Sequence, residues 1–179
     1  MSHLLERAPT GRAKCRGCGR AIAAHDWRFG ERLPNPFVDA EGAEMTHWFH
    51  PRCAAFKRPE PMLEFLAGAS EPVEDADTLR RHAEAGVRHR RLPRVDAATR
   101  APSGRAMCRH CKTTIDKGQW RIALVYYEDG RFAPSGYIHL SCVRDYVETP
   151  DVTDRLRQFS PDLNDADLAE IAETLAGDR

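Results

Sequence analysis

The chain has 179 residues and balances 27 Lys and Arg against 27 Asp and Glu, so its formal net charge is zero. It has neither a run of about 18 apolar residues nor an apolar N-terminal segment, so we expect no transmembrane span and no secretory leader. The length suits one ordinary domain or two small ones.

The neutral total hides a segregation of charge along the chain. Residues 11–58 hold nine Lys and Arg against five Asp and Glu, and residues 104–146 hold seven against four. Residues 147–179 hold three against nine. An ordinary charged surface is one interpretation of this pattern, but the basic segments suit a polyanionic partner better than an acidic substrate.

Cysteine and histidine form the same pattern twice, and the two copies together use all six cysteines. Each copy is a CxxC pair followed by an HxxC pair, which supplies three thiolates and one imidazole, the ligand set of a closed tetrahedral zinc site. Since every position is taken by a protein ligand, such a site has no place for a catalytic water. The predicted ligands of the two zinc ions are Cys15, Cys18, His50 and Cys53, and Cys108, Cys111, His139 and Cys142.

Disulfide bonds are the alternative use of six cysteines. CxxC pairs suit chelation or redox chemistry better than the cross-linking of long loops, and a thioredoxin-like site would need one CxxC beside a βαβ pattern. With the thiols reduced, we expect an intracellular setting.

Several elements are predicted around the first set of ligands. Trp27-Arg28-Phe29 predicts a strand, and residues 30–46 predict a loop because they are rich in glycine and proline. His50-Pro51 predicts the start of a helix with proline in its first turn. Further on, acidic residues, an apolar stripe and a closing glycine predict a helix from Asp75 to Gly86.

The second half repeats this order after an intervening basic stretch. Residues 88–103 hold five arginines and two prolines, which predicts a linker. Residues 120–126 predict a strand, and Asp129-Gly130 predicts a hairpin turn. His139 predicts the start of another helix, and a last helix is predicted from Asp165 to Gly177.

The similarity between the copies extends beyond the ligands. Gly11-Arg12-Ala13 recurs as Gly104-Arg105-Ala106 at an offset of 93, whereas the HxxC pair recurs at an offset of 89. We therefore predict an α+β chain of two small zinc-stabilised units in tandem, each a short antiparallel sheet with helices. The predicted parts are an N-terminal tail at 1–10, a first unit at 11–87, the linker at 88–103 and a second unit at 104–179.

A known family shares the motifs of the first unit. The run Gly-Arg-Ala-x-Cys-x-x-Cys, followed by Trp-Arg and by His47-Trp48-Phe49-His50-x-x-Cys53, resembles the zinc finger of poly(ADP-ribose) polymerases and similar fingers of some DNA ligases and DNA-end-processing kinases. The second unit departs from this run, with Gly136-Tyr137-Ile138 before its ligand His139. The resemblance implies binding to DNA strand breaks, with paired fingers holding the two sides of a nick or end.

The resemblance also implies which arginines contact DNA phosphates. A guanidinium suits this role because it is always charged and donates bidentate hydrogen bonds to phosphate oxygens. The alternative is a solvated arginine paired with a nearby aspartate. The candidates recur in register in both units and are Arg12, Arg28, Arg105 and Arg121.

Recognition of a break further requires a side chain that stacks on the base pair exposed there, since an intact duplex offers no free base-pair face. In the resembled family, apolar loop residues before the HxxC pair have this role. The corresponding candidates are Phe37 and Met45 in the first unit and Tyr127 and Phe132 in the second, with burial in the core as the alternative.

We therefore predict a non-enzymatic protein of DNA repair that binds nicked, gapped or free-ended DNA, with a repair partner that the sequence does not identify. A zinc-stabilised protein-interaction module and a general DNA-binding regulator without break preference are the alternatives. The sequence has no phosphate-binding glycine-rich loop and no nucleophile constellation to favour an enzyme. The expected location is the cytoplasm or nucleoid of a bacterium, or the nucleus of a eukaryote, with no membrane association.

Overall fold

The computed structural model describes residues 2–35, 38 and 43–177, and it divides the chain into two units, Met1–Arg88 and His89–Arg179. Both units combine small antiparallel sheets with short helices, which confirms the predicted α+β class. In these described ranges, every helix is too short or too polar to cross a bilayer.

The first unit places its helices after its sheet along the chain. Its elements are β1 (Leu4–Arg7), β2 (Trp27–Pro34), β3 (Glu44–Phe49), α1 (Pro51–Lys57), α2 (Pro59–Gly68) and α3 (Ala76–Arg88). The strands pair antiparallel in the order β1-β2-β3. Large apolar side chains fill the core, and those that are fully buried include Ile22, Phe29, Phe49, Phe56 and Met62.

The predicted loop at residues 30–46 was wrong at both ends, because β2 continues to Pro34 and β3 begins at Glu44. Gly30 lies inside β2, where a Cβ atom would come within 2.8 Å of the Trp48 ring and 2.9 Å of the Thr46 methyl group. This glycine therefore allows close packing within the sheet and does not mark a turn.

The second unit has a larger set of strands. Its elements are β4 (Val95–Arg100), β5 (Ala106–Met107), β6 (Thr114–Ile115), β7 (Trp120–Glu128), β8 (Arg131–His139), α4 (Val143–Val147), α5 (Thr153–Phe159) and α6 (Asp165–Gly177). One antiparallel sheet has the order β4-β7-β8, and β5 pairs with β6 in a separate ribbon. The fully buried core residues include Ile115, Ile122, Leu124, Ile138, Leu156 and Ile171.

The hairpin turn between β7 and β8 is confirmed. Asp129 and Gly130 have φ angles of 49° and 76°. Positive φ at both central residues is the requirement of a type I′ turn, whose twist matches that of the flanking strands.

Two helix boundaries differ from the prediction. The helix expected at His139 begins at Val143, because the backbone N–H of Cys142 bonds to the His139 carbonyl at 3.1 Å and forms a turn first. The first unit has Pro51 directly after its histidine, which starts α1 there. The helix expected to end at Gly86 continues to Arg88, and Gly86 is buried within it.

The predicted tail and linker were both wrong. Residues 4–7 of the tail form β1, which pairs with β2 from Leu4↔Gly30 to Arg7↔Trp27. Within the supposed linker, residues 95–100 form β4, which pairs with β7 from Val95↔Leu124 to Arg100↔Trp120. Each segment is thus an edge strand of its own unit, and the boundary between units lies at residues 88 and 89.

A buried ion pair lies in the core of the first unit. Glu31 on β2 is 1% exposed, and the Arg58 Nε donates to its two carboxylate oxygens at 3.0 and 2.9 Å. At the offset of 93 the second unit has Leu124, which is also 1% exposed. The same strand position therefore accepts either a paired carboxylate or a leucine.

We predict that Arg58→Met destabilises the zinc-loaded chain by about 3–5 kcal/mol, because it leaves the Glu31 carboxylate buried without its countercharge. The double variant Glu31→Leu/Arg58→Met should recover most of this loss, since leucine already occupies the equivalent position of the second unit. Denaturant unfolding of the three proteins measures the difference. Equal losses in the single and double variants would contradict this account.

Two candidate zinc centres and their surroundings

Each CxxC pair lies in a tight turn that a left-handed residue makes possible. In the first unit Gly19 has φ 73° and its backbone N–H bonds to the Cys15 carbonyl at 2.8 Å. In the second unit Lys112 has φ 63° and its N–H bonds to the Cys108 carbonyl at 3.1 Å. We call these two turns the zinc knuckles, residues 15–19 and 108–112.

The HxxC pair approaches the knuckle from the end of a strand. His50 follows β3 and Cys53 lies in the first turn of α1, while His139 ends β8 and Cys142 precedes α4. The backbone N–H groups of His50 and His139 bond to the sulfurs of Cys15 and Cys108 at 3.3 and 3.4 Å. The strand end is therefore joined to the knuckle by the protein itself.

The four ligand atoms of each set converge, with all atoms within 4.8 Å of one another. In the first set the His50 Nδ1 lies 3.5 Å from the sulfur of Cys18 and 3.9 Å from that of Cys53. In the second set the His139 Nδ1 lies 3.4 Å from the sulfur of Cys111 and 3.9 Å from that of Cys142. Tetrahedral zinc requires sulfur–nitrogen separations of roughly 3.5 Å.

Both sets therefore fit structural zinc, and the prediction of two zinc ions is confirmed. The His139 ring has a further restraint, because its Nε2 lies 3.1 Å from the Thr114 carbonyl oxygen. With Nδ1 on the metal, Nε2 carries the proton and donates to that oxygen, which fixes the ring orientation.

The thiols of each set differ in acidity before a metal binds. Hydrogen bonding with Cys15 holds the pKa of Cys18 far below its usual range, whereas hydrogen bonding with Cys15 raises the pKa of Cys53. In the second set hydrogen bonding with Thr113 lowers the pKa of Cys111 to about 6. Cys18 and Cys111 thus ionise readily, whereas zinc displaces the protons of Cys53 and Cys142 as it binds, since the pKa of each of these thiols is raised.

Of the four arginines predicted to contact phosphates, Arg12 and Arg105 are exposed. Each lies three residues before the first cysteine of its knuckle. They occupy the same position in both units with their side chains open to a ligand.

The other two arginines stack on aromatic rings of the neighbouring strand. The Arg28 guanidinium lies 3.6 Å from the Trp48 ring centre, and the Arg121 guanidinium lies 3.8 Å from that of Tyr137. Arg28 is 9% exposed and its Nε donates to Glu6 at 3.0 Å, and its contact with a phosphate stays a prediction. Arg121 is half-buried and donates to the Thr99 hydroxyl at 3.3 Å. Tyr137 thus preserves the aromatic stack despite the altered sequence around it.

The stacking candidates have different surroundings. Phe37 lies outside the described residues. Met45 is half-buried on β3 and pairs with Leu33 of β2. Tyr127 and Phe132 lie at the tip of the β7–β8 hairpin as a cross-strand pair, with ring centres 4.9 Å apart.

Sequence reasoning missed two exposed apolar residues near these candidates. Val38, between β2 and β3, is 48% exposed, and Tyr126 on β7 is 39% exposed. The available signal was their position, since Val38 lies between the strand β2 and its partner β3 and Tyr126 lies three residues before the predicted Asp129-Gly130 turn.

It also missed an arginine within each knuckle, Arg16 and Arg109, which recur at the offset of 93 and are exposed. Their backbone N–H groups bond to the carbonyls of Trp48 and Tyr137 at 2.9 and 2.8 Å. The Arg109 Nε also donates to the Ser135 carbonyl at 3.0 Å, close to Gly136, where any Cβ would come within 2.7 Å of that nitrogen.

Residues 6–90 match the family model described as the poly(ADP-ribose) polymerase and DNA-ligase Zn-finger region. The chain is 27% identical over 144 residues to a poly [ADP-ribose] polymerase of Drosophila melanogaster, an alignment that covers 72% of this chain and 14% of the relative. It is 29% identical over 133 residues to poly [ADP-ribose] polymerase 1 of Gallus gallus, covering 66% of this chain and 13% of the relative. The chain thus corresponds to a small part of each relative's length.

We predict that the chain purified with zinc binds two ions, and that Cys15→Ser and Cys108→Ser each reduce this to one. Binding free energy at such a site is folding free energy, so the affected unit should lose its structure while the other remains folded. Metal analysis together with amide spectra of both units tests this. Two zinc ions retained in either variant would contradict the ligand assignment.

Proposed function

The first unit of this chain belongs to the poly(ADP-ribose) polymerase and DNA-ligase zinc-finger family, and from this premise we propose that the chain is a non-enzymatic protein that binds DNA strand breaks. The observation that carries the proposal is the repeated placement of exposed arginines around both zinc knuckles. Arg12 and Arg16 in the first unit correspond to Arg105 and Arg109 in the second.

These arginines suit a phosphate backbone. Two guanidinium groups near one metal-held turn present several N–H donors, and phosphate oxygens accept them bidentately. The segments that contain them are basic, with nine Lys and Arg against five Asp and Glu at residues 11–58. Because backbone contacts carry no sequence information, binding is expected to be independent of sequence and sensitive to salt.

The hairpin tips supply the second requirement, a group for an exposed base pair. The rings of Tyr127 and Phe132 form a half-buried cross-strand pair, and Val38 is 48% exposed. In the first unit, the candidate Met45 is half-buried on β3, and the candidate Phe37 is adjacent to Val38 in sequence. Stacking on a terminal base pair is worth about 1–3 kcal/mol, which is enough to distinguish a break from intact duplex.

The zinc centres support a structural role for the metal. Across the described residues, the only His, Cys, Asp and Glu clusters arranged to hold a metal are the two four-ligand sets. A closed set leaves no coordination position for a reactive water. We infer that the chain contributes binding in a reducing intracellular setting and that any chemistry at the break belongs to a repair partner.

We predict that Arg12→Ala lowers the affinity for nicked and intact duplexes alike by about tenfold, the loss of one charge-assisted contact. The slope of log affinity against log salt concentration should fall in magnitude by about 0.9, since one fewer phosphate is neutralised. Fluorescence anisotropy at several salt concentrations measures both quantities. Arg105→Ala tests the second unit in the same way.

The control is Arg80→Ala, which removes the same charge from an exposed position on α3. It should change both quantities less than Arg12→Ala does. If the two variants weaken binding equally, the contribution of Arg12 is only its net charge and the phosphate contact at the knuckle is rejected.

We predict that Tyr127→Ala weakens binding to nicked or gapped DNA by about 1–3 kcal/mol and leaves the weaker binding to intact duplex nearly unchanged. Met45→Ala and Phe37→Ala should act in the same direction through the first unit. Val87→Ala removes exposed apolar surface on α3 and is the matched control, because Val87 is 43% exposed and far along the chain from either tip.

Competition binding with nicked, gapped, blunt and intact duplexes gives the comparison. Equal losses on nicked and intact DNA would favour a general DNA-binding regulator over a break sensor. Absence of binding to every duplex by the zinc-loaded chain would favour the protein-interaction module.

A further inference from the structure

A groove in the first unit lies apart from the zinc site and from the arginines of its knuckle. It has a volume of about 710 Å³. One side is formed by residues 2–5 and by the start of β2, and the other side is formed by the end of α2 and the loop that follows it. His50 follows β3, whereas the groove lies beside β1, and these are the two opposite edges of the sheet. The residues that line it are Ser2, His3, Leu4, Leu5, Trp27, Glu64, Phe65, and those from Gly68 to Val73.

The aromatic walls of the groove are held in place. The Trp27 indole N–H donates to Glu74 at 2.9 Å, and the Arg7 guanidinium lies 4.2 Å from the centre of its ring. Phe65 packs edge-on against Phe29 of the core, with ring centres 5.8 Å apart. These contacts fix the aromatic walls before any partner binds, which reduces the entropy lost on binding.

Carboxylates predominate on the rim of the groove and in the neighbouring segment. Residues 59–77 contain six Asp and Glu and no Lys or Arg. Of these, Glu64 and Glu71 line the groove, and the Glu64 side chain is 65% exposed with His3 3.5 Å away. Arg7 is the cation beside Trp27, so carboxylates outnumber guanidinium groups around the opening. This face repels phosphate and attracts cationic side chains.

From these aromatic walls and carboxylates we propose that the groove binds an extended basic segment of a partner protein. In this segment arginine or lysine alternates with leucine or similar aliphatic residues. The strand beside the groove, β1, is the edge of its sheet, and an edge strand offers backbone N–H and carbonyl groups along the length of an extended peptide. Alternation places the apolar side chains against Leu5, Trp27 and Phe65 and the cations at the rim. The inference does not depend on DNA binding by the zinc knuckles.

The test uses the zinc-loaded full chain and the synthetic peptide Arg-Leu-Arg-Leu-Arg with blocked ends. The indole N–H signal of Trp27, assigned with Trp27→Phe, should shift saturably as the peptide is added, while the Trp120 indole signal stays in place. Replacing arginine by citrulline keeps the shape and removes the charge, and replacing leucine by glycine removes the apolar part. Each replacement should weaken binding by about tenfold.

A groove variant and a control variant replace glutamates by lysine on α2 and in the loop after it. Glu64→Lys/Glu71→Lys should weaken binding of the arginine peptide by about tenfold, because it replaces two attractions by repulsions. Glu60→Lys makes the same kind of change on an exposed α2 position outside the groove and should have little effect. Neither variant should weaken binding to DNA, because both leave the zinc knuckles and their arginines intact.

Three results would overturn the proposal. The first is no movement of the Trp27 signal at millimolar peptide in the folded, zinc-loaded chain. The second is weakening by Glu60→Lys as large, per charge replaced, as that by the groove variant, which would reduce the effect to net charge. The third is self-association of the chain that the groove variant abolishes, which would assign the groove to a second copy.

Discussion

The structure of each unit depends on one constraint, the closure of four ligands that come from distant parts of the chain. In the first unit Cys15 and Cys18 lie more than 30 residues before His50 and Cys53, and the β2–β3 hairpin forms the intervening segment. Zinc therefore ties the knuckle to the far end of that hairpin. Apparent binding free energies of such sites are about 10–16 kcal/mol, which exceeds what a small core supplies alone. The arginines beside the knuckle take their positions from this closure.

Around the metal, the two units preserve contacts while they exchange residues. Arg28 stacks on Trp48 and Arg121 stacks on Tyr137 at nearly the same distance. Arg7 lies over Trp27 and Arg100 lies over Trp120, both at 4.2 Å. A flat aromatic surface under a guanidinium is the shared requirement, and either tryptophan or tyrosine meets it. The second unit therefore retains the packing of the first even where the motif before its ligand histidine is altered.

The metal ligands could be predicted from the sequence because chelation needs specific residue types at short spacing, and that requirement is visible in the chain. Strands β1 and β4 could have been predicted from the same repeat. Arg7-Ala8-Pro9 recurs as Arg100-Ala101-Pro102 at the offset of 93, and Ala8 and Ala101 are both buried. The arginines and prolines of residues 88–103 instead suggested a solvated linker. The composition of residues 88–103 reflects the exposed side chains of the edge strand β4 and does not reveal that β4 pairs with β7.

The ion pair of Arg28 with Glu6 could not be predicted from sequence, since Glu6 lies across a strand pair that was itself missed. The same limit applies to Glu31, whose burial depends on Arg58 from the junction of α1 and α2. In both cases a charged residue at a strand position has two physical outcomes, exposure or paired burial. Only the cross-strand register and the helix packing determine which one occurs.

Positive and negative charge lie in different segments of the first unit. The knuckle carries exposed Arg12 and Arg16 beside the zinc site, whereas residues 59–77 carry carboxylates without any Lys or Arg. Under the proposed function, a phosphate backbone is attracted to the first surface and repelled by the second, which directs the encounter with DNA to the knuckle. Strands β1 and β3 are opposite edges of the sheet, so the groove and the zinc site lie at different edges of this unit. Under the two proposals, one small unit holds a nucleic acid on one edge and a basic protein segment on the other.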